Sequence, residues 1–314
     1  MFNIKKFTTS NIKNFKLLLT IILIGSFILM SLGIENGADP RWYPDELSER
    51  AIDMLKKRTM QPPFFEIPSL HFYILMFANV PYLLFLYFKY NSTHFFKLEP
   101  NFLAMTAIIS RLVSVIMGVL TVYFVYFISK KSHNEKAGII AAALLSVTMG
   151  FIFHAHLSTN DVPVTFFITL SLLFCIQFVH SNNYRFFFLA TLISGLSTST
   201  KYTAAIIIFP IILSYFINKR LSSITISIIF DKRILIGVII FLFGFILGTP
   251  YALLKISDFK IDVTKVFLSR DTYKGFVDEG YSWKNNVANL NISLGLPLFT
   301  LRLLGLLYSL YKPT

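Results

Sequence analysis

Charged side chains are scarce in this sequence: they make up 14% of 314 residues, against 55% hydrophobic, with a mean hydropathy of +0.65. Soluble domains of this size carry roughly 25% charged residues. Too few polar side chains remain to cover a water-facing surface, which excludes an ordinary soluble globule. Cysteine is nearly absent. Cys175 stands alone within an apolar run, so there is no disulfide framework and the redox compartment cannot be read. Acidic residues are also few, 16 Asp and Glu against 29 Lys and Arg, giving a net charge of +13. That excess does not describe a nucleic-acid face. The cations gather in short tracts between apolar runs, as cytoplasmic loops do, and no basic stripe with interleaved aromatics stands outside them. Internal repeats and low-complexity tracts are missing as well.

Long apolar runs stand in their place. Runs near the ~20 residues that cross a bilayer recur along the whole length. In lipid each must satisfy its own backbone, so they read as helices and the fold class as an all-α polytopic membrane protein. The first run, Leu17 to Gly33, follows Lys5, Lys6, Lys13 and Lys16. It is longer than a secretory signal core and no small-x-small site closes it, so it reads as an uncleaved first span.

Two segments decide the topology. Pro68 to Phe88 is apolar enough to span, but Asn79 and Pro81 interrupt it and His71 sits near its start. Laying it flat in the outer interface puts the basic connectors on the cytoplasmic side. These are Lys130, Lys131 and Lys136, then Arg185, then Lys219, Arg220, Lys232 and Arg233, and finally Lys312. Phe186 to Ile217 is too long for one span and is broken by Ser197 to Tyr202. Two short helices meeting at that polar turn keep the same charge rule. The expected plan has a cytoplasmic N-terminus and eight spans: 17–34, 106–129, 137–153, 162–180, 186–198, 203–217, 234–249 and 287–310. Residues 35–105 and 250–286 then face outward within a single domain, 1–314.

With that topology the unusual polar residues converge on the outer side. They are Asp45 and Glu46 after the first span, Arg111 in the second, His154, His156, Asn160 and Asp161 between the third and fourth, and Lys201 at the break. Ionisable groups near the apolar layer are costly and are usually retained for a task. Carboxylates can act as general bases, and Arg and Lys can hold a phosphate. Each residue also has a plainer reading. Pro44, Asp45 and Glu46 suit a helix N-terminus. Asp161 could cap a span, and Arg111 could snorkel to the interface. His154 and His156 form a weak metal signal on their own. Lys201, midway through an apolar stretch, is the hardest to explain structurally.

Four stretches resemble the GT-C glycosyltransferases, specifically the dolichyl-phosphate-mannose–protein mannosyltransferase and aminoarabinose transferase-like group. Tyr43-Pro44-Asp45-Glu46 resembles the His-Pro-Asp-Glu-type signature of the first outer loop. The helix led by Arg111, running through Gly118 to Thr121, is similar to the one that follows that loop. The stretch from His156 through Asp161 and Pro163 to Phe167 resembles the segment carrying a second acidic residue. Gly195 to Tyr202 resembles the family's Gly…Thr-Lys turn, and Gly248-Thr249-Pro250-Tyr251 also fits. Two departures stand out. Tyr43 occupies the position of a common His, which weakens a metal role for this loop. The chain also stops after about eight spans, where relatives commonly continue.

The resemblance implies a GT-C-type helical membrane domain with interfacial helices in the first outer loop. It implies a membrane glycosyltransferase that moves mannose or a similar hexose from a polyprenyl-phosphate donor to a hydroxyl of a protein, lipid or glycan. Transfer would occur on the outer or lumenal side of a cell membrane or endomembrane, with inversion. Asp45 is then the expected base, with Glu46 orienting the loop or acceptor and Asp161 positioning acceptor or sugar. Lys201 and Arg111 would bind the donor phosphate. No metal ligand set is assigned, and a divalent ion is left open. A transporter or lipid flippase, or a truncated non-catalytic relative, are the competing expectations.

Overall fold

The structure, a computed structural model, describes residues 4–38, 43–219, 231–268 and 283–311. Helices account for most of them, and no strand pairs among the described residues. The order is α1 (Ile4–Ser31), α2 (Ser48–Lys56), α3 (Leu70–Tyr90), α4 (Phe95–Leu98), α5 (Phe102–Ser132), α6 (Glu135–Ser146), α7 (Met149–Ala155), α8 (Asp161–Ser181) and α9 (Tyr184–Thr198). A 3-10 turn, Tyr202–Ile207, leads into α10 (Ile208–Lys219). Then follow α11 (Lys232–Gly248), α12 (Tyr251–Leu254), α13 (Ile256–Leu268), α14 (Trp283–Leu294) and α15 (Leu296–Tyr311). Arg220, Lys312 and residues 269–282 of the second outward segment lie outside the described residues.

Local chemistry places several of these boundaries. Asn134, Asn183 and Asp231 accept from the backbone N–H groups of Ala137, Arg185 and Arg233 at 3.0, 3.0 and 2.9 Å, satisfying otherwise orphaned donors at the starts of α6, α9 and α11. Asn182 ends α8 in the left-handed region at φ 54°, a conformation Asn tolerates.

All eight expected spans find helices, but not all are straight. Five segments are long and apolar enough to cross a membrane unbroken: Asn14–Ser31, Leu70–Tyr90, Phe102–Ser132, Asp161–Ser181 and Tyr202–Lys219. The expected span 137–153 is instead the pair α6 and α7, bent by 62° where the helix stops at Val147 and Thr148. The expected span 287–310 is α14 and α15, bent by 117°. Gly295 at φ +74° makes that corner, and Pro297, which cannot donate to the preceding turn, follows it. At 15 and 17 residues, α9 and α11 are shorter than the ~20 residues that cross a bilayer.

The segment expected to lie flat in the outer interface, with Asn79 and Pro81 interrupting it, is a continuous 21-residue helix, α3, long and apolar enough to cross a membrane. Asn79 is buried and donates through Nδ2 to the Leu75 carbonyl at 2.9 Å and to Ser110 Oγ at 3.0 Å, so its amide is used in packing. Its neighbours show it running antiparallel to the first part of α5, since Leu86 shares a cluster with Phe102 while Asn79 meets Ser110.

Packing is tightest between α9 and α11. A Cβ added to Gly195 would collide with the Phe241 carbonyl, and one added to Gly244 would meet the Leu192 carbonyl at 2.5 Å. Small residues let apolar helices approach where lipid gives no hydrophobic drive. The outer surfaces of α1, α10, α11 and α15 expose Leu, Ile and Phe side chains such as Leu17, Ile21, Phe209, Ile239 and Leu304, as lipid contact requires. The chain is a polytopic helical membrane protein.

The segment linking α2 to α3 is pinned across the helix ends. Leu70 N–H donates to the Ser199 carbonyl at 3.0 Å, Ser69 Oγ to the Gly248 carbonyl at 3.2 Å, and Tyr202 Oη to the Phe65 carbonyl at 2.8 Å. These bonds gather the ends of α9 and α11 and the start of the 3-10 turn under one loop.

Candidate active site

Arg111 sits on α5 at 2% exposure, among the largest fully buried side chains. It does not snorkel. Its Nε and Nη2 donate to Glu46 Oε1 and Oε2 at 2.7 and 2.8 Å, a two-pronged pair. Nη1 donates to the Ile34 and Asn36 carbonyls at 2.7 and 2.8 Å, and Nη2 to the Gly37 carbonyl at 3.1 Å. A guanidinium has five N–H donors in a fixed fork, and all five are engaged. Arg111 therefore has no donor left for the phosphate expected from the sequence. It organises the chain after α1 instead.

Glu46, at 0% exposure, is held from a second side. Ser158 gives both its N–H and its Oγ–H to Oε1, at 3.0 and 3.1 Å, and Leu47 N–H reaches the Ser158 carbonyl at 3.2 Å. A buried carboxylate is tolerable only when paired and hydrogen-bonded, and this one is both. The first loop is thereby fastened to the α7–α8 connection.

One residue away, Asp45 is exposed and accepts no hydrogen bond among the described residues. It does not cap α2, so its carboxylate stands open. Tyr43 reports on its surroundings. Burial, and then the negative fields of Asp45 and Asp161, hold the Tyr43 phenol above its ordinary pKa, while Lys201 acts in the opposite direction. Asp45, Asp161 and Lys201 thus bear on one hydroxyl, and that phenol stays a proton donor.

Asp161 opens α8, but its carboxylate does not cap the helix. Oδ1 accepts from Lys201 Nζ at 2.6 Å, and Oδ2 accepts from Thr159 Oγ1 at 3.2 Å, with His154 Nδ1 3.8 Å away. The Lys201 backbone is extended between the end of α9 and the 3-10 turn, which sends its side chain across 40 residues of sequence to Asp161. Both side chains are about a third exposed, at 41% and 34%. An ammonium has three donors, and one goes to Asp161, leaving the others for a ligand.

The two histidines of the H-x-H pair part company. His156 places its ring nitrogens 2.8 Å from the Ile152 and Leu32 carbonyls, tying α7 to the end of α1, whereas His154 turns toward Asp161. Among the described residues no three His, Cys, Asp or Glu side chains group closely enough to hold a metal ion. Two residues carry no signal strong enough to be found from sequence. Ser158 is uncharged, and only its bonds to Glu46 single it out. His71 is fully buried on α3, and neither ring nitrogen makes a hydrogen bond among the described residues.

Residues 102–246, from the start of α5 into α11, match the family described as dolichyl-phosphate-mannose-protein mannosyltransferase. This bears out the resemblance to the GT-C mannosyltransferases over that stretch, which carries Arg111, Asp161 and Lys201. Asp45 and Glu46 precede it. An uncharacterised protein of Aquifex aeolicus (strain VF5) is 29% identical over 99 residues, which is 31% of this chain and 20% of that protein. The chain therefore aligns with about a fifth of that relative's length.

Proposed function

We propose that this chain is a membrane glycosyltransferase that moves a hexose, mannose or a similar sugar, from a polyprenyl-phosphate donor to a hydroxyl acceptor. The observation that carries the reading is the contrast within one dipeptide. Glu46 is locked by Arg111 and Ser158, while Asp45 is exposed and, like the Asp161–Lys201 pair, acts on the Tyr43 phenol. A buried clamp next to a free carboxylate is how a general base is held in place without being consumed by its own bonds. The mannosyltransferase-family match over 102–246 supports the same reading.

In this reading Asp45 takes the proton of the acceptor hydroxyl as its oxygen attacks the anomeric carbon. The bond from that carbon to the phosphate oxygen breaks, and the polyprenyl phosphate departs as a dianion. Direct displacement inverts the anomeric centre. The leaving phosphate gains negative charge where Lys201 keeps donors free, the electrostatic stabilisation such a step requires. Tyr43, retained as a phenol, offers a further hydrogen bond to sugar or phosphate. Asp161 aims Lys201 and positions acceptor or sugar. Glu46 and Arg111 are positioning residues, and Arg111 is not assigned to the donor phosphate.

The site would face the outer or lumenal side, with the N-terminus in the cytoplasm and residues 35–105 as the first outer loop. The acceptor is a hydroxyl of a protein, lipid or glycan. Membranes carrying the chain, incubated with radiolabelled polyprenyl-phosphate sugars, test this directly. Label should move from donor to a new product. Cysteines placed at 45, 161 and 201 should react from one side only. Reaction from both sides, without label transfer, would instead fit a transporter.

A further inference from the structure

A second site lies at the far end of α2 from the Asp45–Glu46 pair. The C-terminus of α2, the last turns of α3, α4 and the start of α5 enclose a cavity of about 350 Å³. That lies within the ~300–1,000 Å³ range of ligand pockets. Its floor is apolar, with Leu55, Leu83 and Phe96 among its walls. Three groups that are or can become cationic, Lys56, Arg58 and His94, line it as well. No carboxylate lines it. The nearby Glu99 already serves Lys89 at 2.8 Å and Tyr90 at 3.0 Å.

The cations are poised rather than spent. Lys56 Nζ lies 5.8 and 5.5 Å from the ring centroids of Phe96 and Phe102, within cation–π range, and only 3.5 Å from the exposed Asp53 as a weak partner. The Arg58 guanidinium is exposed and makes no hydrogen bond or ion pair among the described residues. Its backbone is the less ordinary feature. Arg58 has φ 51°, in the left-handed region that ends helices and favours glycine. The bonds from Thr59 N–H to the Met54 carbonyl and from Arg58 N–H to the Leu55 carbonyl, each 3.0 Å, complete that helix-ending turn. Cations at a helix C-terminus complement its dipole. That alone gives no reason to place a long cation at the one position where glycine is preferred.

We propose that this cavity binds the phosphate headgroup of an anionic membrane lipid, with Lys56 and Arg58 as its ligands. The lipid source follows from what flanks the cavity. On the same elements Leu84, Phe88, Leu98 and Leu103 are exposed at 52, 76, 51 and 46%, an apolar margin suited to acyl chains. A free phosphate would find no use for that margin. The bound headgroup would brace the end of α2, whose start carries the loop with Asp45 and Glu46.

Native mass spectrometry of the full chain tests the proposal, with protein released from nanodiscs of phosphatidylglycerol or phosphatidylcholine. The wild type should retain phosphatidylglycerol over phosphatidylcholine. Arg58→Gly and Lys56→Gln should each weaken retention roughly fivefold, the effect of one cation near an anionic headgroup. Arg58→Gly suits the test because glycine fits that backbone, so its melting temperature should hold or rise while lipid is lost. Equal retention of both lipids by the wild type, or unchanged phosphatidylglycerol retention in both variants, overturns the site. Displacement of the lipid by millimolar inorganic phosphate overturns the assignment to a lipid.

Discussion

Glu46 and Arg111, 65 residues apart in sequence, meet through two parallel hydrogen bonds of 2.7 and 2.8 Å with neither side chain more than 2% exposed. Such a pair is not strong evidence of net stabilisation, because desolvating both charges costs about what their attraction returns. Its value is geometric: it fixes the loop that presents Asp45. Removing one partner strands the other. Arg111→Met and Glu46→Met should each destabilise the protein by about 3–5 kcal/mol, while the double variant should lose less than the sum. A double-mutant cycle on detergent-solubilised protein measures the coupling, and purely additive losses would contradict it.

Lys201 should act on the donor more than on the fold. Its side chain is 41% exposed, and its bond to Asp161 is an accessible one. Lys201→Met should reduce transfer efficiency by roughly 10²-fold, as loss of a transition-state cation or donor does. Lys201→Arg should retain part of it. Transfer kinetics with melting curves beside them check both. Full activity in the Met variant would remove Lys201 from the phosphate site.

The α9–α11 contact sets a steric limit. Gly195→Ala drives a methyl group into the Phe241 carbonyl, which is backbone and cannot rotate away. The expected cost is about 1–3 kcal/mol, read as a lower melting temperature. The Ser197–Tyr202 turn follows Gly195 directly, so transfer should fall in the same variant.

Acidity should loosen the loop before α3. Asp262 on α13 accepts from Phe65 N–H at 2.9 Å and from Lys265 at 3.0 Å. The Phe65 bond first, and then Lys265 against a burial effect of opposite sign, lower the Asp262 pKa below the ordinary carboxylate value. A depressed folded-state pKa gives stability that is present above the unfolded pKa, near 3.9, and is lost as pH falls through the folded value. Hydrogen exchange at Phe65, taken relative to the intrinsic rate of a free amide at each pH, should therefore stay slow at neutral pH and quicken only in acid below that ordinary value. Asp262→Asn should quicken it at neutral pH too.

Much of the architecture could be read from apolar run lengths and loop charges, since those are local properties of the chain. Each expected span has its helix, and the break at Ser197–Tyr202 sits where hydroxyl side chains interrupt an apolar run. Bends are less local. The corner at Gly295 depends on a positive φ, and the α6–α7 bend falls at Ser146-Val147-Thr148, an interruption too short to end an apolar run. In the site, charge drew notice to Asp45, Glu46, Arg111, Asp161 and Lys201. Their roles depend on partners far apart in sequence, which is why Arg111 looked available for phosphate and proves fully engaged. Ser158 cannot be singled out from sequence, because a serine after an interfacial histidine has no distinguishing pattern. His71 stands out in the sequence only as a polar residue near the start of an apolar run.

Asp45 is where the functional reading is most exposed to test. Its carboxylate is exposed and unbonded among the described residues, so Asp45→Asn should leave insertion and melting temperature unchanged. Transfer from a radiolabelled polyprenyl-phosphate sugar should drop by about 10²–10⁴-fold, the contribution of a general base. Wild-type turnover by a correctly folded Asp45→Asn protein would contradict the assignment.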